Sequence, residues 1–306
     1  MGLQAALLAI GFLLLVKGAD WFVAGASALA EKCKIPPLVI GLTVVAMGTS
    51  LPEASVSISA ALKGNAEITV GNIVGSNILN ILIILGLSAL FHPLLVKKTT
   101  LRYELPFLTG ITGLLLLQGQ DGTISLADGL ILLCFFALYV IYLLLLAKKK
   151  PETDKNNAYQ QKLWKIVLLV VLGLAATVVG SALAVDAACV IARLLGMSER
   201  FIGLTIVALG TSLPELFTSV SAARRGDSDL AIGNIVGSNI FNILLIIGLS
   251  AAILPVPFAP DFRFDCLAAI AAAVLLLLCC GKNKKLKRWH GAMLLAVYAV
   301  YFFIIF

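Results

Sequence analysis

The sequence predicts an all-α membrane protein of ten transmembrane helices, built as two five-helix repeats of inverted topology. Three observations predict it. Of 306 residues, 60% are hydrophobic and only 13% charged, whereas soluble globular chains average about 25% charged. Apolar runs of about 20 residues follow one another with short polar breaks, the pattern of successive membrane-spanning helices. Stretches such as Val274–Cys280 (VLLLLCC) lack the alternation of a transmembrane barrel. Finally, residues 41–87 (GLTVVAMGTSLPEASVSISAALKGNAEITVGNIVGSNILNILIILGL) recur 162 positions later, without a gap, as residues 203–249 (GLTIVALGTSLPELFTSVSAARRGDSDLAIGNIVGSNIFNILLIIGL).

The first repeat, 1–147, holds expected spans at 3–28, 36–62, 67–90, 104–118 and 125–147. The second, 163–306, holds spans at 163–195, 199–223, 228–253, 262–281 and 288–306. The first segment has no basic residue before its apolar stretch, and Gly18–Ala28 returns loosely at Gly180–Val190. It therefore reads as a span and not as a signal peptide. The fourth span is the shortest and is flanked by Tyr103-Glu104 and Gln118. Residues 148–162 are charged, lack apolar periodicity and contain Pro151, Asn156 and Asn157; they read as a cytoplasmic linker between the halves. The six cysteines form no CxxC pattern and read mostly as small buried hydrophobes.

The net charge of +7 has a topological origin and does not point to nucleic acid. With the linker in the cytoplasm, only Lys63, Arg193, Arg200 and Arg263 fall outside; Lys17 lies within a span and every other Lys and Arg falls inside. The positive-inside rule then sets both termini outside. Because each half has an odd number of spans, the two copies of the motif cross the bilayer in opposite directions, and they meet near its midplane.

Within each copy, GTSLPE interrupts an apolar run: Gly48 to Glu53, and Gly210 to Glu215. Pro52 and Pro214 supply no N–H and clash with the carbonyl four residues back. The carbonyls so freed must face protein, water or an ion. Carbonyls and hydroxyls beside a carboxylate form an oxygen-only set suited to hard cations such as Ca²⁺ and Na⁺. An acidic residue at membrane depth is costly, by about 2.5–3.5 kcal/mol at a helix centre on the insertion scale for Asp; two in register call for a compensating cation. In the following span, Asn72, Ser76 and Asn80 are four residues apart and line one helix face, as do Asn234, Ser238 and Asn242. The outer Asn72 and Asn234 read as interhelical hydrogen-bonders, and the deeper Asn80 and Asn242 as ligands. Gly71, Gly75, Gly233 and Gly237 read as close-packing positions. Lys17 and Asp20 are spaced to pair, and Asp128 and Asp186 read as interfacial. Arg102-Tyr103-Glu104 and Arg263-Phe264-Asp265 repeat one another at an offset of 161, with no function evident.

GTSLPE followed by GNIVGSN, twice, resembles the α-repeats of the calcium/cation antiporter superfamily, specifically its bacterial sodium/calcium exchanger branch, and the likeness covers essentially the whole chain. The resemblance implies an exchanger of Na⁺ for Ca²⁺ by alternating access in a prokaryotic cytoplasmic membrane, with no cofactor beyond the transported ions. By position, it implies that Glu53 and Glu215 bind the two ions in turn. Thr49, Ser50, Thr211 and Ser212 would flank them, with Ala46 and Ala208 offering carbonyl oxygens. Ser76 and Ser238 would be outer Na⁺ ligands, Asn80 and Asn242 would complete the centre, and the first and sixth spans would slide across the other eight. The family often has Asp at one position where this chain has Asn80 and Asn242. Two carboxylates balance one Ca²⁺ or two Na⁺.

The nearest alternative is an H⁺-coupled Ca²⁺ antiporter at the same site, because burial favours the neutral form of a carboxyl group. A channel through the same polar centre ranks below, since inverted repeats with broken helices favour alternating access. An intramembrane hydrolase with Ser50 or Ser212 as nucleophile lacks an evident general base.

Overall fold

A computed structural model describes residues 1–148, 162–197, 206, 208–281 and 283–305. Nearly all of the expected linker lies outside them, as do residues 198–205 and 207, which include the start of the second motif copy at Gly203. The helices are α1 (Gly2–Cys33), α2 (Pro37–Thr49), α3 (Leu51–Leu62), α4 (Ile68–Phe91), α5 (Leu105–Gln118), α6 (Leu126–Ala147), α7 (Leu163–Leu194), α8 (Ala208–Thr211), α9 (Leu213–Arg224), α10 (Ser228–Ile253), α11 (Phe262–Gly281) and α12 (Arg288–Ile305). Among the described residues, seven helices are long and apolar enough to cross a membrane, or eight if α2 and α3 form one bent span. The expected fourth span falls short because α5 has 14 residues, preceded by a wide turn at Thr100–Glu104. The expected seventh is described only at residue 206 and from α8 onward.

Burial sorts the helices into layers. α10 is buried almost all round and α4 nearly so, whereas α1, α6, α7, α11 and α12 bury only one side. A helix apolar on every face belongs at the centre of a bundle, and one-sided burial leaves a face for lipid. The core around α4 and α10 includes Ile73, Ile78, Ile81, Ile235, Ile240 and Leu244. Cys189, Cys266 and Cys280 are buried, but Cys33 and Cys134 are exposed, so the cysteines are not uniformly core residues.

α1 and α7 pack closely along their length through glycines. Gly11 meets Gly180 and Ala184, Gly18 meets Gly173 and Thr177, and Gly25 meets Val170. As one number rises the other falls, so the pair is antiparallel. In α2 and α10, Gly233 meets Leu38 and Gly41, and Gly237 meets Leu42 and Ala46, so these two run the same way. Small residues permit such backbone contact where lipid provides no hydrophobic drive. Two short antiparallel ladders tie the connections: β1 (Leu94–Leu95) with β4 (Lys285–Leu286), and β2 (Thr123–Ile124) with β3 (Val256–Pro257). Leu94 and Val256 are corresponding positions of the two halves, as are Thr123 and Lys285. Each ladder therefore joins one half to the other.

Helix ends repeat across the halves too. Ser125 and Asp128 form a capping box at α6, and at α12 the His290 imidazole Nδ1 accepts the Lys287 N–H at 3.0 Å. The Arg-Tyr-Glu and Arg-Phe-Asp segments now have a structural account. Glu104 accepts a hydrogen bond from Tyr142 of α6, and Asp265 accepts one from Tyr301 of α12 at 2.8 Å. Glu104, at the start of α5, and Asp265, in the first turn of α11, thus tie those helices to the next one, α6 and α12. Tyr301→Phe should lower stability by about 1–2 kcal/mol through the lost bond to the acid, read as a fall in the melting temperature of the detergent-purified protein; an unchanged midpoint would deny the tie.

Candidate cation site

Both GTSLPE copies break their helix at the serine. α2 and α3 meet at Ser50 with a bend of 50°, and Ser212 separates α8 from α9. Pro52 and Pro214 occupy the first turns of α3 and α9, where a missing N–H leaves no bond unmade. Glu53 and Glu215 stand in the same first turns, at helix ends whose free N–H groups and dipole favour a carboxylate. The freed carbonyl of Gly210 is taken by protein: the Ser181 hydroxyl of α7 donates to it at 2.7 Å. The first half has Ala19, which carries no hydroxyl, at the corresponding place. Ser181→Ala should therefore cost about 1–2 kcal/mol while Ala19→Ser costs less, compared by thermal unfolding; equal effects would contradict this reading.

The carboxylates are cross-wired. Ser50 donates to Glu215 Oε1 at 3.0 Å and Ser212 donates to Glu53 Oε1 at 3.0 Å. Thr211 also reaches the Glu53 carboxylate. Glu53 is 1% exposed and Glu215 fully buried. Asn72 donates to Ser57 at 2.9 Å and to the Glu53 carbonyl at 3.4 Å, and Asn234 repeats this to Ser219 and the Glu215 carbonyl at the same distances. Thr49 donates to Asn234 Oδ1 at 3.0 Å. The outer asparagines thus bond between helices, as their position suggests. Ser212 lies 3.4 Å from Ser76 Oγ, and Ser238 donates to the Ala46 carbonyl at 3.3 Å. Ala208 opens α8.

Among the described candidate ligands, four side-chain oxygens are left over. Glu53 Oε2, Glu215 Oε2, Asn80 Oδ1 and Asn242 Oδ1 are all buried without a hydrogen-bond partner. They are two carboxylate and two amide oxygens, one of each from either half. Wide π-type turns follow directly at Asn80–Ile84 and Asn242–Ile247, a distortion common at functional positions. Among the described residues no three His, Cys, Asp or Glu gather into a metal-holding group.

Asp20 does not pair with Lys17. It accepts from Ser221 at 2.6 Å and lies 3.9 Å from the Arg225 guanidinium, and nearby Ser27 donates to Asp227 at 2.8 Å. These bonds hold α1 to the end of α9 and the turn after it. Spacing alone passes over Asn77 and Asn239, one position off the four-residue stripe. Their signal is the last letter of GNIVGSN, present in both copies.

Broken helices, membrane-length apolar helices and a duplicated, buried polar centre together define a membrane transporter. The sodium/calcium exchanger protein family model matches residues 3–145 and 165–306, and the chain belongs to that family. The chain is 40% identical to the putative antiporter CaxA of Alkalimonas amylolytica, over 97% of both chains. It is 38% identical to the inner membrane protein YrbG of Escherichia coli (strain K12), over 98% of this chain and 96% of that one. A structure of the sodium-calcium exchanger NCX_Mj soaked with 10 mM Na⁺ and zero Ca²⁺ superposes with a TM-score of 0.86 at 34% identity, covering 97% of each chain. The protein is thus a cation antiporter of the membrane and not an enzyme, which removes the hydrolase reading.

Proposed function

We propose that the protein exchanges Na⁺ for Ca²⁺ by alternating access, the two ions competing for one site whose shared ligands are Glu53 and Glu215. The observation that carries this reading is the quartet of buried, unpartnered oxygens on Glu53, Glu215, Asn80 and Asn242. Buried polar atoms left unpaired cost on the order of 1–3 kcal/mol each, more when charged. A hard cation bound by all four offsets that cost with ligands of its own preference. Thr49, Ser50, Thr211, Ser212, Ser76 and Ser238, with the Ala46 and Ala208 carbonyls, flank it and serve Na⁺ in the alternate loading. Two carboxylates balance one Ca²⁺ or two Na⁺, so a neutral cycle exchanges these.

The same reading takes the chain as ten spans in two inverted five-helix repeats. The antiparallel run of α1 against α7, which are corresponding helices, supports the inversion. Cross-half pairs such as Ser50–Glu215 and Ser212–Glu53 support a pseudo-two-fold axis through the site. α1 and α7 move against the rest, and the protein sits in a prokaryotic cytoplasmic membrane with both termini outside, as positive-inside counting requires.

The test is radioactive Ca²⁺ uptake into Na⁺-loaded proteoliposomes of the purified protein, diluted into Na⁺-free buffer. Uptake that needs the outward Na⁺ gradient and persists with the pH gradient collapsed is expected. Uptake that follows the pH gradient alone would overturn Na⁺ coupling and assign the protein to H⁺-coupled antiport at the same two carboxylates.

A further inference from the structure

We infer that Asn77 and Asn239 are positioning residues that fix the polarity of the ion site, each from the half opposite to the ligand it orients. The inference rests on the reading that Asn80 and Asn242 present oxygen to the transported cation. An asparagine amide is ambiguous: one end accepts and the other donates, and a half-turn exchanges them. A cation site tolerates only the oxygen. Something must therefore choose, and the hydrogen bonds supply the choice in two steps.

The first step starts from backbone. The Asn77 carbonyl can only accept, and Asn239 Nδ2 donates to it at 3.1 Å. That bond sets Asn239 with its amide nitrogen toward the backbone and its Oδ1 turned the other way. In the second step Asn80 Nδ2 donates to that Oδ1 at 2.8 Å. A flipped Asn80 would set oxygen against oxygen. Its Oδ1 is consequently the atom left free, and it is buried and unpartnered. The mirror relay runs alongside. Asn77 Nδ2 donates to the Asn239 carbonyl at 3.1 Å, and Asn242 Nδ2 donates to Asn77 Oδ1 at 3.1 Å, freeing Asn242 Oδ1. Asn239 is fully buried and Asn77 3% exposed, so water does not compete for these bonds. Because Asn77 orients Asn242 and Asn239 orients Asn80, neither half can set its own ligand. The site acquires its sign only when the halves meet.

Outer partners that orient metal ligands typically change affinity about 10–100-fold when removed. Asn77→Ala should therefore weaken Ca²⁺ binding to the purified full-length protein about 10–100-fold, measured by equilibrium binding of radioactive Ca²⁺. An aspartate needs no orienting, since both ends are oxygen. In an Asn242→Asp background, Asn77→Ala should cause no loss, because it also removes an acceptor facing the new carboxylate. A merely structural Asn77 would lose the same factor in both backgrounds, and that result, or no loss in either, overturns the inference. If Asn77→Ala loses its monodisperse chromatographic peak, the mirror pair Asn239→Ala and Asn80→Asp gives the same comparison. Failure of both alanine variants to fold, with and without the aspartate, would assign these residues to structure alone and overturn the orienting role. Glu53→Gln separates the two levels: wild-type Ca²⁺ binding by that variant would reject the site itself, whereas its loss beside an unaffected Asn77→Ala rejects only the relay.

Discussion

Replacing Glu53 or Glu215 by Gln should cut Na⁺-driven Ca²⁺ uptake by about 100-fold or more, equivalent to roughly 3 kcal/mol, without unfolding the protein. Glutamine keeps the shape and can still accept through Oε1 from Ser212 or Ser50. It removes the charge. The ion-free protein is then relieved of a buried carboxylate and should melt at the same temperature or higher. The rise in melting temperature that Ca²⁺ gives the wild type by binding the folded state should vanish in both variants. Full transport by either variant would remove that glutamate from the site. The symmetry sharpens the expectation: the two residues have equivalent partners in opposite halves, so the two losses should be of similar size.

Gly173→Ala should be the most damaging of the glycine substitutions, costing about 3 kcal/mol, the upper end of the usual overpacking range. A Cβ there would lie 2.4 Å from the Phe22 backbone nitrogen, 2.7 Å from its Cα and 2.9 Å from the Gly18 carbonyl. All three are backbone atoms of α1, so no rotamer change relieves the clash and the α1–α7 pair must separate. Gly110→Ala is the control. Nothing lies within 4 Å of its Cβ, and an exposed helical Gly→Ala change should stabilise by about 0.5–1 kcal/mol. Thermal unfolding and chromatographic monodispersity distinguish the two. Equal tolerance at both positions would contradict the close packing of α1 on α7. Because these helices are proposed to move against the rest, a mild Gly173 variant that folds should also transport slowly.

Much of this molecule is legible in the sequence, for a definite reason. The bilayer allows few ways to satisfy a backbone, so apolar length alone marks α1, α4, α6, α7, α10, α11 and α12. Duplication marks the site, because chance does not place Glu53 and Glu215 in the same context twice. The break at Ser50 follows from Pro52, and the asparagine stripe from the helical repeat. What escapes is what depends on neighbours distant in sequence. No spacing rule shows that Ser181 caps the Gly210 carbonyl, or that Asp20 turns from Lys17 to Ser221 and Arg225, since those partners lie far along the chain. Asn77 and Asn239 escape for a related reason. They lie off the stripe within their own helices and act on the opposite half. The wide turns after Asn80 and Asn242 follow ordinary helix-forming sequence, and only the three-dimensional packing reveals them.

The central claim is that Na⁺ and Ca²⁺ share one site held by Glu53 and Glu215. Equilibrium binding of radioactive Ca²⁺ to the purified protein, titrated with Na⁺, tests it most directly. We predict one Ca²⁺ per chain, displaced competitively by Na⁺, with binding lost in both Glu53→Gln and Glu215→Gln. Ca²⁺ binding that Na⁺ does not displace, or that survives in both glutamine variants, would contradict the account.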